Sequence, residues 1–296
     1  MANGILVIDK PAGWTSQDVA AKLRGVFHER RVGHGGTLDP MATGVLPIFI
    51  GRATRAAEFL ENAQKEYIAG LRLGVVTDTQ DTTGTILQQC EADIPRQALQ
   101  SALETFCGQI EQLPPMYSAI KIGGQKLYTL ARKGCEVARR PRAITIYDLE
   151  LLDGAAADYI LRVHCSKGTY VRTLCHDIGA ALGCGGCMSS LRRTRAGSFT
   201  LQQAVTMQQV LDFAQTHDPQ QLLLPVDAIF AAHPALIVTM QQAARLKNGA
   251  PVKDRSFADG TWRVYAEDGE FLLLGRVEAG VLHTIKSFFE VNTSGT

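Results

Sequence analysis

No run of this 296-residue chain is long and apolar enough to read as a membrane-crossing helix. The longest candidate, 222–238 (LLLPVDAIFAAHPALIV), is broken by Asp227, His233 and two prolines, so no membrane association is expected. The start, MANGILVIDKPAGW, has no basic opening and only four consecutive apolar residues before Asp9, which is too little for a secretory signal. An excess of one charge is missing too: 30 Lys+Arg against 29 Asp+Glu leaves +1. That balance neither announces nor excludes a nucleic-acid partner, because a basic face can be offset by acidic residues elsewhere. The seven cysteines are odd in number and scattered, and only CGGC at 184–187 has metal-like spacing. A structural zinc needs four ligands, and the nearest extra donors, Cys175 and His176, lie on another local segment. Buried free thiols in a reducing cytoplasm are therefore expected, with no metal. No serine stands in a nucleophile-elbow context, so nothing supports a Ser/His/Asp hydrolase.

What is present is an ordinary globular composition, 46% hydrophobic and 20% charged, with length for about two domains. ILVIDK (5–10) reads as a buried strand, and Thr15 or Ser16 can cap a helix whose apolar positions fall at 19, 20, 23 and 26. A second helix is expected over ATRAAEFLENA (53–63). KEYIAGLRLG (65–74) alternates, with Tyr67, Ala69, Leu71 and Leu73 on one face, and ends in the turn-rich TDTQDTTG. Residues 158–183 read as a strand, a Lys-Gly turn and a helix whose start carries Tyr170 and Arg172. Strands and helices interleave with short, irregular connections, which favours an α+β fold with a mainly antiparallel sheet over a doubly wound one. From about Ala232 the texture becomes that of a small β-rich module. The Pro-flanked stretch 225–234 suits a boundary, dividing 1–230 from 231–296.

The stretch GHGGTLDPMATGVLP (33–47) places one acid, Asp39, between Leu38 and Pro40. The proline ring pushes the aspartate backbone towards extended conformations and so limits where its carboxylate points. An Asp-Pro pair more often caps a turn or helix, so this acid alone decides nothing. A buried carboxylate nucleophile needs a cation to compensate it, and Arg172 and Lys10 are the candidates. A retaining glycosidase would need a second carboxylate about 5 Å away, for which Asp78 and Asp81 are the pair to test, although a Thr/Gly-rich turn is their default setting. Basic residues cluster in ARKGCEVARRPR (131–142), with Tyr147 on the strand beyond, and in LRRTR (191–195). Each cluster alone reads as a solvated face; together they tilt towards RNA.

GHGGTLDPMATGVLPIFIGRATR, KEYIAGLRLGVVTDTQDTTG, PPMYSAIKIGGQKLYTLARKG, SKGTYVRTLCHDIGAALG and SSLRRTRAGSF, in that order, resemble the tRNA pseudouridine synthase B family from Ile5 to about residue 230. The C-terminal module resembles the PUA RNA-binding domain of its bacterial members. The resemblance implies a pseudouridine synthase fold, a mixed and mainly antiparallel sheet flanked by helices. It also implies isomerisation of uridine 55 in the tRNA T-loop by base flipping, without cofactor or metal. Asp39 matches the family's nucleophile, Arg172 its partner, and Tyr67 the tyrosine that stacks on the flipped base and handles the C5 proton. His34 matches the residue that enters the T-loop, and Lys10, Tyr170 and Leu191 match residues that support the pocket. The implied partner is tRNA, touched at T-arm and acceptor end by a monomer; the alternative is a non-catalytic tRNA-binding or folding protein. One departure stands out: Gly35 replaces a usual threonine, which predicts a looser loop.

Overall fold

The computed structural model describes residues 2–289. Its first strand, Gly4–Lys10, is buried nearly throughout because both faces are covered, which is why its sequence runs apolar rather than alternating. It pairs antiparallel with Thr43–Ile50 along its whole length, from Gly4 opposite Ile50 to Lys10 opposite Gly44. These two strands lie in a sheet ordered Val205–Thr206, Gly4–Lys10, Thr43–Ile50, Gly186–Ala196, Lys65–Leu73, Asp158–Cys165, Arg142–Ala155, Gly108–Gln112. Val205–Thr206 runs parallel to its neighbour, as do the short contacts between Arg192–Arg193 and Thr43–Gly44. The other pairings along this order are antiparallel, so the sheet is mixed and mainly antiparallel, as the sequence predicts.

The alternation of Lys65–Leu73 turns Tyr67, Ala69, Leu71 and Leu73 onto one face, where they join a core with Leu174, Cys175 and Ile178 of the helix Val171–Ala181. The helix Ser16–Phe27 opens on a reciprocal cap. The Thr15 hydroxyl accepts from the Asp18 N–H at 3.1 Å and the Asp18 carboxylate accepts from the Thr15 N–H at 2.9 Å. The expected helix over 53–63 is a correction: a 3-10 turn, Gly51–Ala56, leads into an α-helix of five residues, Ala57–Glu61. Neither Ile50 nor Ala56 supplies a capping side chain, so nothing locally fixes a longer α-helix.

A second sheet of five strands is ordered Ala235–Val238, Gly260–Ala266, Phe271–Glu278, Val281–Ser287, Val252–Lys253. The helix Met240–Lys247 packs on it behind a Thr15-like cap made by Thr239 and Gln242. The two sheets share an apolar layer in which Ile5, Val7, Phe49 and Leu60 continue through Phe230 to Leu274 and Phe288. Phe230 stands edge-on to Phe59 at 5.0 Å between ring centres and lies 5.6 Å from Phe288. Polar contacts close the rim: Lys286 pairs with Glu58 at 2.6 Å, and the Arg52 guanidinium donates to the Phe289 carbonyl. All seven cysteines are free thiols, with Cys184 and Cys187 among the buried ones. Among the described residues no helix is long and apolar enough to cross a membrane.

Phe230→Ala removes the ring shared by both sheets, so urea denaturation is expected to show a loss of about 3–5 kcal/mol. A loss below about 1 kcal/mol would mean that this layer does not hold the sheets together.

Candidate active site

The loop between strands Val32–His34 and Thr43–Ile50 carries Asp39, and its backbone is anchored on both sides of that residue. The buried Ser16 hydroxyl accepts from the Leu38 N–H at 2.9 Å and donates to the Leu38 carbonyl at 3.3 Å. The Pro40 carbonyl accepts from the Gly13 N–H at 2.8 Å and from Lys10 Nζ at 3.3 Å. The loop expected to be loose is tight instead. Gly35 is buried, donates to the Pro47 carbonyl at 2.8 Å, and a Cβ built on it would lie 2.3 Å from Leu60 Cδ2 and 2.9 Å from Phe49 Cε2. Leu60 occupies the space that a threonine side chain would need.

Asp39 keeps 35% of its side chain exposed and is held by Arg172, whose own side chain is 7% exposed. Nε meets Oδ2 at 2.9 Å and Nη2 meets Oδ1 at 3.4 Å, a two-pronged pairing that fixes the plane of the carboxylate. The guanidinium is itself fixed: Nη1 donates to the Thr79 carbonyl at 3.1 Å and Nη2 to the Tyr117 carbonyl at 2.8 Å, with Asp81 Oδ2 3.8 Å from Nε. Lys10, the other candidate cation, does not pair with Asp39. Its ammonium donates to the carbonyls of Pro11, Trp14 and Pro40, and burial lowers its pKa to about 8, with the Asp39 charge pushing the other way.

Asp78 and Asp81 part company. Asp78 accepts from the Thr85 N–H at 2.7 Å within its own exposed turn. Asp81 is buried, accepts from the Thr79 hydroxyl at 2.9 Å and the Thr83 N–H at 3.0 Å, and faces Arg172. Asp78 closes a turn, and Asp81 backs the cation that holds Asp39.

Tyr67 lies on Lys65–Leu73 between Val163 and Arg193 of the flanking strands. Burial raises its phenol pKa, and the Arg193 guanidinium pulls it partly back. Leu191 stands opposite Ala69, nearly buried on the same sheet. Tyr170 immediately precedes the helix that carries Arg172; Gln112 clamps its backbone, accepting from its N–H at 2.8 Å and donating to its carbonyl at 3.1 Å. Lys10, Tyr67 and Tyr170 all lie near enough to feel the Asp39 charge. His34 ends the strand leading into the loop; burial and the Arg193 charge lower its pKa, and its Nδ1 is buried without a partner.

The LRRTR cluster is not a free basic face. Arg192 pairs with Asp9 at 2.8 Å, Arg195 reaches Glu66 and His164, and Arg193 is 1% exposed. In the other cluster Arg132, Lys133, Arg140 and Arg142 are exposed, as is Tyr147. The residue that sequence reasoning missed is Arg193. Its signal was the alternation that puts it on the Leu191 side of the strand.

The fold is that of the pseudouridine synthases: an H/ACA RNP bound to a substrate RNA containing 2′-deoxyuridine aligns with TM-score 0.75 and 25% identity over 98% of this chain and 86% of that one. A Cbf5–Nop10–Gar1 complex aligns with TM-score 0.74 and 27% identity over 97% and 85%. The TruB family pseudouridylate synthase N-terminal domain matches residues 24–171, the tRNA pseudouridylate synthase B C-terminal domain 172–231, and the pseudouridine synthase II TruB C-terminal domain 234–284. The chain belongs to the TruB family of pseudouridylate synthases. It is 40% identical to tRNA pseudouridine synthase B of Clostridium kluyveri over 92% of this chain and 95% of that protein, and 42% identical to that of Francisella philomiragia over 97% and 95%.

Gly35→Thr is expected to cost about 1–3 kcal/mol by overpacking against Leu60. In the Leu60→Ala background the same change should cost at least about 1 kcal/mol less, read as coupling in a urea double-mutant cycle; additive losses would place the conflict elsewhere.

Proposed function

We propose that this protein isomerises the uridine at position 55 in the T-loop of tRNA to pseudouridine, with Asp39 as the nucleophile. The observation that carries the reading is the Asp39 carboxylate itself: it is partly open to solvent yet locked in plane by the nearly buried Arg172 at 2.9 Å. Groups held before the substrate arrives need no reorganisation during reaction. The names of the relatives, tRNA pseudouridine synthase B, support tRNA as the substrate.

The uridine must leave its stack to reach a carboxylate at the base of a loop, at a cost of a few kcal/mol offset by stacking and phosphate contacts. Tyr67 and Leu191 supply the surface against which the uracil rests. His34, held towards its neutral form by burial, takes the position of the departed base in the T-loop. With Asp39 assisting, the bond between ribose C1′ and N1 breaks, and the uracil turns while it stays bound. A bond from C1′ to C5 forms, C5 gives up its proton to the Tyr67 hydroxyl as that group releases its own to water, and N1 takes a proton from water. The product has the same atoms as the substrate, so the reaction consumes no co-substrate.

Residues 1–230 serve as the catalytic domain and 231–296 as a PUA-like RNA-binding domain that meets the acceptor end while the catalytic cleft holds the T-arm. The strands of the second sheet, which span Ala235 to Ser287, support this division. The protein works as a monomer on one tRNA.

Incubating an unmodified tRNA transcript with wild type and Asp39→Asn, followed by site-resolved pseudouridine detection, tests this. Wild type should convert position 55. Asp39→Asn should lose activity by at least about 10³-fold while tRNA affinity changes little. Binding without product from wild type would favour a tRNA-binding protein, free uracil would indicate a hydrolase, and product confined to the anticodon arm would leave the chemistry and overturn the position.

A further inference from the structure

We propose that Arg193 is a positioning residue: its buried guanidinium ties together the two limbs of the Asp39 loop and fixes the Tyr67 ring, so that one group sets both. This rests on the reading of Asp39 and Tyr67 given above. Arg193 Nε donates to the Val45 carbonyl at 2.7 Å, on the limb that leaves the loop. Its Nη2 donates to the Gly36 carbonyl at 3.1 Å, on the limb that enters it. Both limbs are stripped of side chains where Arg193 approaches. Gly36 sits at φ 96°, and the Cβ it lacks would lie 3.5 Å from Arg193 Nη1. Gly44 sits at φ 100°, and its missing Cβ would lie 2.2 Å from the Arg193 carbonyl oxygen. No other residue type fits Gly44 without moving the strand.

The charge balance around Arg193 also sets it apart. Arg172, Arg192 and Arg195 each meet a carboxylate, whereas among the described residues no carboxylate pairs with Arg193. A buried cation is ordinarily paired, so one that is held only by carbonyls leaves its field acting on its neighbours. Those neighbours are site residues: Lys10, His34 and Tyr67 all respond to it, and Lys65 beyond them. Tyr67 is its partner across the strands, with Val163 opposite on the other side, which puts the Arg193 and Tyr67 side chains next to each other on one face of the sheet. A lysine would keep the charge but not the planar fork that spans two carbonyls.

The test is a double-mutant cycle of Arg193→Gln and Arg193→Lys against Tyr67→Phe, with pseudouridine formation on unmodified tRNA transcript read as kcat and KM and expressed per folded molecule from thermal melts. Arg193→Gln should lower kcat about 100-fold, the scale expected when reacting groups are misplaced by about 1 Å, with KM changed less than about threefold. Arg193→Lys should recover part of that kcat. In the Tyr67→Phe background Arg193→Gln should cost at least about threefold less than it does in wild type, because its effect on the tyrosine is already lost while its effect on the Asp39 loop remains. Fully multiplicative losses, a raised KM at unchanged kcat, or normal kcat per folded molecule would overturn the assignment. If Arg193→Gln fails to fold, the Arg193→Lys cycle carries the same comparison. Wild type that binds tRNA but forms no pseudouridine would overturn the reading of the site itself rather than the place of Arg193 within it.

Discussion

The contact between Asp39 and Arg172 is the constraint around which the rest of the structure is arranged. Its value is direction rather than stability: ion pairs near a surface contribute about 0–1 kcal/mol, and burying one charge without its partner costs more than the pair returns. What the pairing provides is a carboxylate whose plane is set while a third of it stays open. That requires an immobile guanidinium, and Arg172 is immobile because the carbonyls of Thr79 and Tyr117 and the carboxylate of Asp81 take up its remaining donors. Asp81 in turn is pinned by Thr79 and Thr83. The Thr-rich turn at 77–83 thus reaches Asp39 through two polar steps.

Asp39 and Arg172 are 133 residues apart in the chain, and strand pairing brings them together. The loop of Asp39 leaves from Thr43–Ile50, which pairs with Gly4–Lys10 in full register, while Arg172 follows from the strand Asp158–Cys165. Gly186–Ala196 joins the two halves, touching Thr43–Gly44 on one side and pairing with Lys65–Leu73 on the other. Lys10 completes the connection from below, holding the end of the first strand, the turn after it and the Asp39 loop by three carbonyls. A sheet is the stiffest frame that can carry side chains from such distant segments to one point, since each strand is fixed by both of its neighbours.

Much of this was legible in the sequence where the signal is local. The alternation of Lys65–Leu73 fixes which side Tyr67 faces, the apolar run at 5–8 marks a strand covered on both faces, and Thr15 with Asp18 marks a helix start. Pro40 restricts Asp39 through its immediate neighbour. What was not legible depends on neighbours distant in sequence. That Arg172 rather than Lys10 meets Asp39 is decided by register. That Gly35 makes a tight loop is decided by Leu60, 25 positions away by residue number. Plain alternation separates Arg192 from the inward Arg193, but periodicity cannot show the register shift between Arg193 and Arg195, which frees Arg195 from the side that Arg193 faces.

The near-neutral total charge conceals a division of labour among cations. Those closest to Asp39 hold protein: Lys10 and Arg193 hold carbonyls, Arg172 holds carboxylates and carbonyls, and Arg192 and Arg195 hold acids across the strands. None of these five is free to neutralise a phosphate without giving up a contact that shapes the pocket. In the proposed reaction the electrostatic grip on RNA therefore falls to cations such as Arg132, Lys133, Arg140 and Arg142, which project from the segment between the Tyr117 carbonyl and the strand Arg142–Ala155. Such contacts weaken with salt because they release counterions, whereas the contacts of the buried Lys10, Arg172 and Arg193 are screened much less. In the proposed reaction the grip on RNA and the shaping of the pocket thus fall to two separate groups of basic residues, one projecting to solvent and the other tied to acids and carbonyls of the protein itself.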